Sequence, residues 1–243
     1  MPYYIEGESE VDFLKISKPE EICLLDPATG SGHILTYSFD LLYLIYEEEG
    51  HAPSEIPGLI LRHNLFGLEI CPRATQLAQF ALICKAREKS RIAFRKPIQP
   101  QVMCLEDVDV AMEEMSVYLR LPGLRELFTE KVLLQIHQFH NTAAFGSLLR
   151  PVMTAAEITT LQAHLSSVNV NDDLLLQQTH IKVLLALNQA KMLSQRYNVV
   201  VENPPYCGSR YMNADISRLA KNTFKAGSGD MFAMFILRSM ELV

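Results

Sequence analysis

Positive charge is in short supply. The 243 residues carry 22 Lys and Arg against 28 Asp and Glu, a formal net charge of −6. A protein that grips nucleic acid over a broad face normally shows a basic surface, because each neutralised phosphate releases counterions. The bulk charge excludes such a chain-wide footprint, so any DNA contact has to come from a local basic patch or from residues outside this chain. Cysteine is sparse too: Cys23, Cys71, Cys84, Cys104 and Cys207, an odd number with no short-spaced pair. That argues against a zinc site and for buried free thiols in a reducing compartment. Long apolar runs are missing. The longest, residues 33–46, contains Asp40 and is too short to span a bilayer. Residues 1–6 have neither the basic stretch nor the apolar core of a secretory leader. These absences predict a cytoplasmic protein with no membrane partner. Of seven histidines, His137 and His140 lie three apart on a helix-like stretch, but no Cys or carboxylate pattern accompanies them, and no metal is expected.

What is present alternates. Residues 22–25 form a short apolar run that ends at Asp26 and a Gly-rich turn, as a buried parallel strand does. Residues 33–49 carry apolar side chains at helical spacing and stop at Gly50. Residues 65–70 predict a second strand, and Pro72 opens a helix that continues to about Ser90. Residues 102–105 predict a third strand, followed at once by Glu106 and Asp107. Strand, helix, strand, helix, strand argues for an α/β protein with a doubly wound, mostly parallel sheet. Residues 108–196 break that rhythm. They are Leu- and Gln-rich, with helices expected over 113–139, 155–166 and 173–195, and are far too long for a normal crossover. The division that follows is a core of residues 1–107 and 197–243 with an inserted helical subdomain at 108–196. A fourth strand is expected at 198–202, then a polar loop over 207–229 and an apolar helix over 230–242.

Two motifs carry chemistry. In Asp26-Pro27-Ala-Thr-Gly30-Ser-Gly32 the glycines let the backbone bend sharply and approach a ligand, with a helix starting directly after. No Gly-Lys-Ser/Thr follows, which excludes a Walker loop. Glu69, at the end of the second strand, is placed to accept hydrogen bonds from ribose hydroxyls. In Asn203-Pro204-Pro205-Tyr206, two prolines stiffen the backbone and remove two amide donors. The Asn203 side-chain oxygen and the Pro204 carbonyl can then face one exocyclic NH2 group, and the Tyr206 ring offers a surface for a planar base. The loop after it holds Arg210, Arg218, Lys221 and Lys225 against one acid, Asp215, a local basic patch able to meet DNA phosphates.

Together the two motifs resemble those of amino-group DNA methyltransferases. Longer strings resemble one family, the PglX adenine methyltransferases of BREX phage resistance. These are Asp26-Pro-Ala-Thr-Gly-Ser-Gly-His-Ile-Leu35, Phe39-Asp-Leu-Leu-Tyr43, Asn64-Leu-Phe-Gly-Leu-Glu69, Arg73-Ala-Thr-Gln-Leu-Ala78 and Gly229-Asp-Met-Phe-Ala-Met-Phe235. The resemblance implies a Rossmann-like class I methyltransferase fold, incomplete at the C-terminal side because four of the usual seven strands can be placed. It implies S-adenosyl-L-methionine as cofactor, with Asp26, Gly30 and Gly32 along its methionine part, Glu69 at the ribose, Asp107 (or Glu106) facing the adenine, and Pro27 and Ile70 also among the residues that bind it. It also implies that Asn203 and Pro204 hold the target N6 amino group and that Tyr206, after Pro205, stacks on the flipped base, while Asp230 and Phe232 belong to a later motif beside the cofactor. The implied partners are double-stranded DNA with a flipped adenine and other phage-defence proteins. Thr29 stands where the family often has Cys, and Glu202 where a small or apolar residue is commoner. The same Asn-Pro-Pro-Tyr serves methylation of RNA guanine N2 or of protein glutamine, and a non-catalytic binding module is the remaining alternative.

Overall fold

A computed structural model describes residues 15–91, 98–170 and 173–243. The start of the chain, read above as lacking a leader, lies outside the described residues. The sheet has four strands, β1 (Leu24–Asp26), β2 (Leu65–Glu69), β3 (Gln101–Cys104) and β4 (Val199–Val200), in the order β3-β2-β1-β4. All pairs are parallel, with Leu25 opposite both Phe66 and Val200. The chain runs outward from β1 to β3 and then returns to the other side of β1. The order therefore reverses between β1 and β4, and a crevice opens at the carboxyl ends of these strands, the usual ligand position in such sheets.

Strand alternation sorts the apolar side chains into two cores. Leu24 and Leu65 face α1 (His33–Glu48) and α3 (Pro72–Lys89), where Leu35, Phe39, Ala78 and Leu82 are fully buried. Leu25, Phe66 and Leu68 face the opposite side. There they pack with Val183, Ala186, Leu187 and Ala190 of α9 (Leu174–Ser194). Helices cover both faces, which is why the strands read as continuous apolar runs. A short helix, α2 (Ile56–Leu59), and one π-turn (Ile60–Asn64) lead into β2. The buried Asn64 there accepts from the Tyr46 hydroxyl and donates to the carbonyls of Pro19 and Ile22.

The region expected as one helix over 113–139 is broken into α4 (Met112–Tyr118), α5 (Leu124–Leu127) and α6 (Glu130–His137). Pro122 lies at the first break, and proline cannot supply the amide a helix interior requires. After α6 come α7 (Thr142–Phe145), α8 (Ala155–Leu165) and α9. A capping box starts α8, with Thr154 accepting from the Glu157 amide at 3.3 Å and Glu157 from the Thr154 amide at 2.8 Å. These helices and the sheet share one continuous apolar core through α9.

Two further expectations need correction. The predicted polar loop at 207–229 contains α10 (Ala214–Thr223), capped by Asn213, which accepts from the Ile216 amide at 2.8 Å. Ile216, Ala220 and Phe224 bury against Leu148, Met234 and Phe235, with Leu219 half-buried beside them. So thin a stripe in a polar sequence carries little periodic signal. The last helix is α11 (Met231–Leu242). The cysteines are free but not uniformly buried, for Cys71 and Cys84 are exposed. Among the described residues no helix is long and apolar enough to cross a membrane.

Candidate cofactor and catalytic site

The turn after β1 is built by a glycine that no other residue replaces. Gly32 sits at φ +85°, and a Cβ there would lie 2.9 Å from the Ala78 Cβ, so α1 starts hard against α3. The Thr29 hydroxyl donates to the Asp26 carbonyl at 2.9 Å, and the Thr29 amide donates to the Leu68 carbonyl at 3.0 Å. These bonds fix the turn to the ends of both β1 and β2.

Three acids converge on this edge. Asp26 is 1% exposed. One of its oxygens accepts from the Ala28 amide at 3.1 Å, and the other is buried without a partner. Burial pushes the Asp26 carboxyl up to about 7, and the charges of Glu202 and Glu69 add to the rise. Glu202, at the end of β4, also has a buried oxygen without a partner, and burial raises its pKa. Glu69 is held by three backbone amides. It accepts from Gly30 at 2.8 Å and from Ile70 and Cys71 at 2.9 Å each.

Beside these acids lies a cavity of about 480 Å³, whose lining includes Pro27, Glu69 and Ile70 together with Asn203 and Pro205. The structure thus brings both sequence motifs to one cavity. Gly30 and Gly32 shape the turn from outside the lining. Asp26 lies beneath it, and Pro204 is buried. Asp107 does not reach the cavity; its carboxylate accepts from the Ala143 amide at 2.8 Å. Glu106 lines a different cavity, of about 490 Å³, beneath β3.

The Asn203-Pro-Pro-Tyr206 motif projects outward. Asn203 is exposed and Tyr206 is 80% exposed. The Tyr206 hydroxyl lies 3.5 Å from the Asn203 side-chain oxygen. Its ring stacks on Phe232, with centroids 6.0 Å apart and planes 16° from parallel. Asp230 caps α11, accepting from the Phe232 amide at 3.0 Å. The Met231 amide donates to the Cys207 carbonyl at 3.0 Å, and the Ser209 amide to the Gly229 carbonyl at 2.9 Å. Asp230 and Phe232 therefore support the tyrosine ring from the start of α11 and do not line the cavity.

Sequence reasoning missed two contributors. Glu202 was visible only as an unusual neighbour of Asn203, with nothing in its local sequence to tie it to Asp26. Residues 144–148, from the helical region, supply a whole wall of the cavity and carry no motif.

Residues 63–243 match the family described as Eco57I restriction-modification methylase. The chain is 31% identical over 272 residues to the adenine-specific methyltransferase BrxX of Escherichia coli O9:H4 (strain HS), in an alignment that covers 100% of this chain and 23% of that protein. It is 30% identical over 238 residues to the adenine-specific methyltransferase PglX of Lacticaseibacillus casei (strain Zhang), covering 94% of this chain and 19% of the relative. The chain thus spans about a quarter to a fifth of the length of these curated relatives. With its parallel sheet, its Gly-rich turn and its Asn-Pro-Pro-Tyr motif on one crevice, and with the family match running from β2 to α11, this chain belongs to the Eco57I restriction-modification methylase family.

Proposed function

We propose that this chain is the catalytic core of an S-adenosyl-L-methionine-dependent methyltransferase that modifies the N6 amino group of adenine in DNA, in the cytoplasm, as part of a phage-defence system. The observation that carries the reading is the shared cavity, which Pro27, Glu69 and Ile70 line together with Asn203 and Pro205. The fit to the cofactor rests on charge. Asp26 holds a buried, unpartnered oxygen among other acids, a site that wants a cation. The cofactor brings two positive centres, a sulfonium and an α-ammonium. Asp26 would face the charged methionine part, and Glu69, already fixed by three amides, keeps spare lone pairs for ribose hydroxyls.

When bound, the cofactor supplies an electrophilic methyl group. The rest is positioning by the protein. The amino group of adenine is a poor nucleophile because its lone pair is drawn into the ring. The Asn203 side-chain oxygen and the Pro204 carbonyl would accept hydrogen bonds from its two N–H groups and favour a more tetrahedral nitrogen, one of whose protons passes to solvent after the new N–C bond forms. Tyr206, braced by Phe232, stacks on the base once it has left the duplex. No residue is asked to form a covalent bond.

Exposed Arg210, Lys221 and Lys225 and the 71%-exposed Arg218 lie on and beside α10, next to the catalytic loop. They are proposed to meet phosphates flanking the flipped base. The division into a core of 1–107 and 197–243 and a helical region of 108–196 remains part of this reading, with the two sharing a core through α9. Transfer of labelled methyl groups tests it. Incorporation at adenine N6 of double-stranded DNA is expected; label in RNA guanine or protein glutamine, or none at all, overturns it.

A further inference from the structure

The helical region leaves a groove open to solvent. It is lined from α4, from α6 and from the segment just before α4, and the space it encloses is about 730 Å³. Both helices are held from behind. Tyr118 of α4 is fully buried, with its hydroxyl 2.7 Å from the Nδ1 of His180 on α9, and Glu114 pairs with Lys182 of α9 at 2.8 Å. On α6, Val132 and Ile136 join the core, and Lys131 pairs with Glu157 of α8 at 2.5 Å. The Val108 amide donates to the Phe139 carbonyl at 2.7 Å and fixes the segment before α4. The groove is therefore preformed, so a ligand would not have to order it.

Two sides of α6 are apolar. Val132 and Ile136 are buried, while Leu133 and Leu134 line the groove, with Leu134 at 53% exposure. Met112 and Met115 of α4 and Leu119 after it line the groove too, and Met112 is 85% exposed. A helix apolar on two sides is normally covered on both, and exposed apolar surface gathered in one groove marks a docking place. Methionine suits such a surface because its unbranched chain re-packs around an incoming side chain. The polar lining sets the sign of the occupant. It includes Asp109 and Glu130 and, among the described residues, no Lys or Arg. Lys131, next to Glu130 in sequence, is taken up by Glu157. His140 lies 3.4 Å from the Asp109 carboxylate, which stays 77% exposed. Such a rim repels phosphates and attracts a cationic segment. The lining helices satisfy their own backbone groups, so an extended strand finds no ladder to join here. A helix arrives with its backbone bonds already made.

We infer that this groove is the docking site for an amphipathic helix of a partner protein. That helix carries an apolar stripe at i, i+3, i+4 and i+7 to meet Leu133, Leu134 and Met112, and Lys or Arg beside the stripe to meet Asp109 and Glu130. Nothing in this assignment depends on the cofactor crevice or on the reaction proposed above. It gives the helical region a role of its own: α9 joins it to the sheet, and α4 and α6 present a second apolar surface to a partner.

The test is fluorescence anisotropy with two labelled helical peptides. Both carry leucines at i, i+3, i+4 and i+7; lysines flank the stripe in one and glutamates in the other. The lysine peptide is expected to bind and the glutamate peptide to stay free. Leu134→Glu and Met112→Glu, both at exposed positions, are each expected to weaken the lysine peptide by about tenfold, the scale of one lost apolar anchor. Each adds a negative charge, so attraction by bulk charge alone would tighten binding; unchanged or tighter binding overturns the inference. Asp109→Lys combined with Glu130→Lys is expected to switch the preference to the glutamate peptide, an outcome that a damaged fold does not produce. If the unchanged protein binds neither peptide, or both equally, the groove is not this docking site.

Discussion

The carboxylate of Glu69 takes a hydrogen bond from the amide of Gly30 at 2.8 Å, locking the end of β2 to the turn that follows β1. The same carboxylate accepts from Ile70 and Cys71. Glu69→Gln turns one acceptor oxygen into a donor facing an amide hydrogen. The expected cost is about 1–3 kcal/mol of stability from an unsatisfied, clashing pair. It should be seen as a lower unfolding midpoint in urea, together with a loss of cofactor affinity. Unchanged values for both would show that Glu69 neither fixes the turn nor serves the ligand.

With Asp26 at the proposed cofactor site, cofactor affinity is expected to depend on pH. Its folded pKa is raised from 3.8 to about 7. A cationic ligand binds the ionised form, so below about pH 7 a proton must leave first. Affinity should fall as pH drops from 8 to 6, approaching tenfold per unit at the acid end. The free protein should behave in the opposite sense. A raised folded pKa contributes stability that is complete below the unfolded value and is lost as pH rises through about 7. Glu202, raised by burial, adds in the same direction. Asp26→Asn should flatten both profiles. A wild-type affinity constant between pH 6 and 8 would contradict the assignment.

Asn203 and Tyr206 are exposed, so their removal should spare the fold. Asn203→Ala is expected to lower methyl transfer by roughly 10²–10³-fold, the loss typical of one charge-stabilising contact. Tyr206→Ala should weaken capture of the flipped base by about 1–3 kcal/mol. Methyl incorporation beside thermal melts separates these effects. A large drop in melting temperature would place either residue in the scaffold instead.

The patch on and beside α10 predicts a salt signature. Lys221→Glu with Lys225→Glu should weaken DNA binding and reduce the slope of log K against log salt by about 1.8, from roughly 0.9 per phosphate contact. Cofactor affinity should be unaffected, because neither side chain lines the crevice. DNA titrations at several salt concentrations check this, and an unchanged slope would remove α10 from the interface.

The parts of this protein that its sequence determined by itself are local ones. The turn from Asp26 to Gly32, the helix that follows it and the strand ending at Glu69 each declare themselves through neighbouring residues. Proline stiffness and apolar context do the same for Asn203 to Tyr206. Tertiary structure decided what meets these motifs. Ser147 and Pro27 are 120 positions apart, yet the hydroxyl of one bonds the carbonyl of the other. Glu202 raises the pKa of Asp26 only because β4 returns to lie against β1. Residues 144–148 become a wall only because α9 shares a core with the sheet and Arg238 reaches across from α11. Periodicity and capping act over a few residues and leave a mark in the sequence. Burial, orphaned charge and the lining of a cavity are set by what the fold brings close, and no short window of sequence records that.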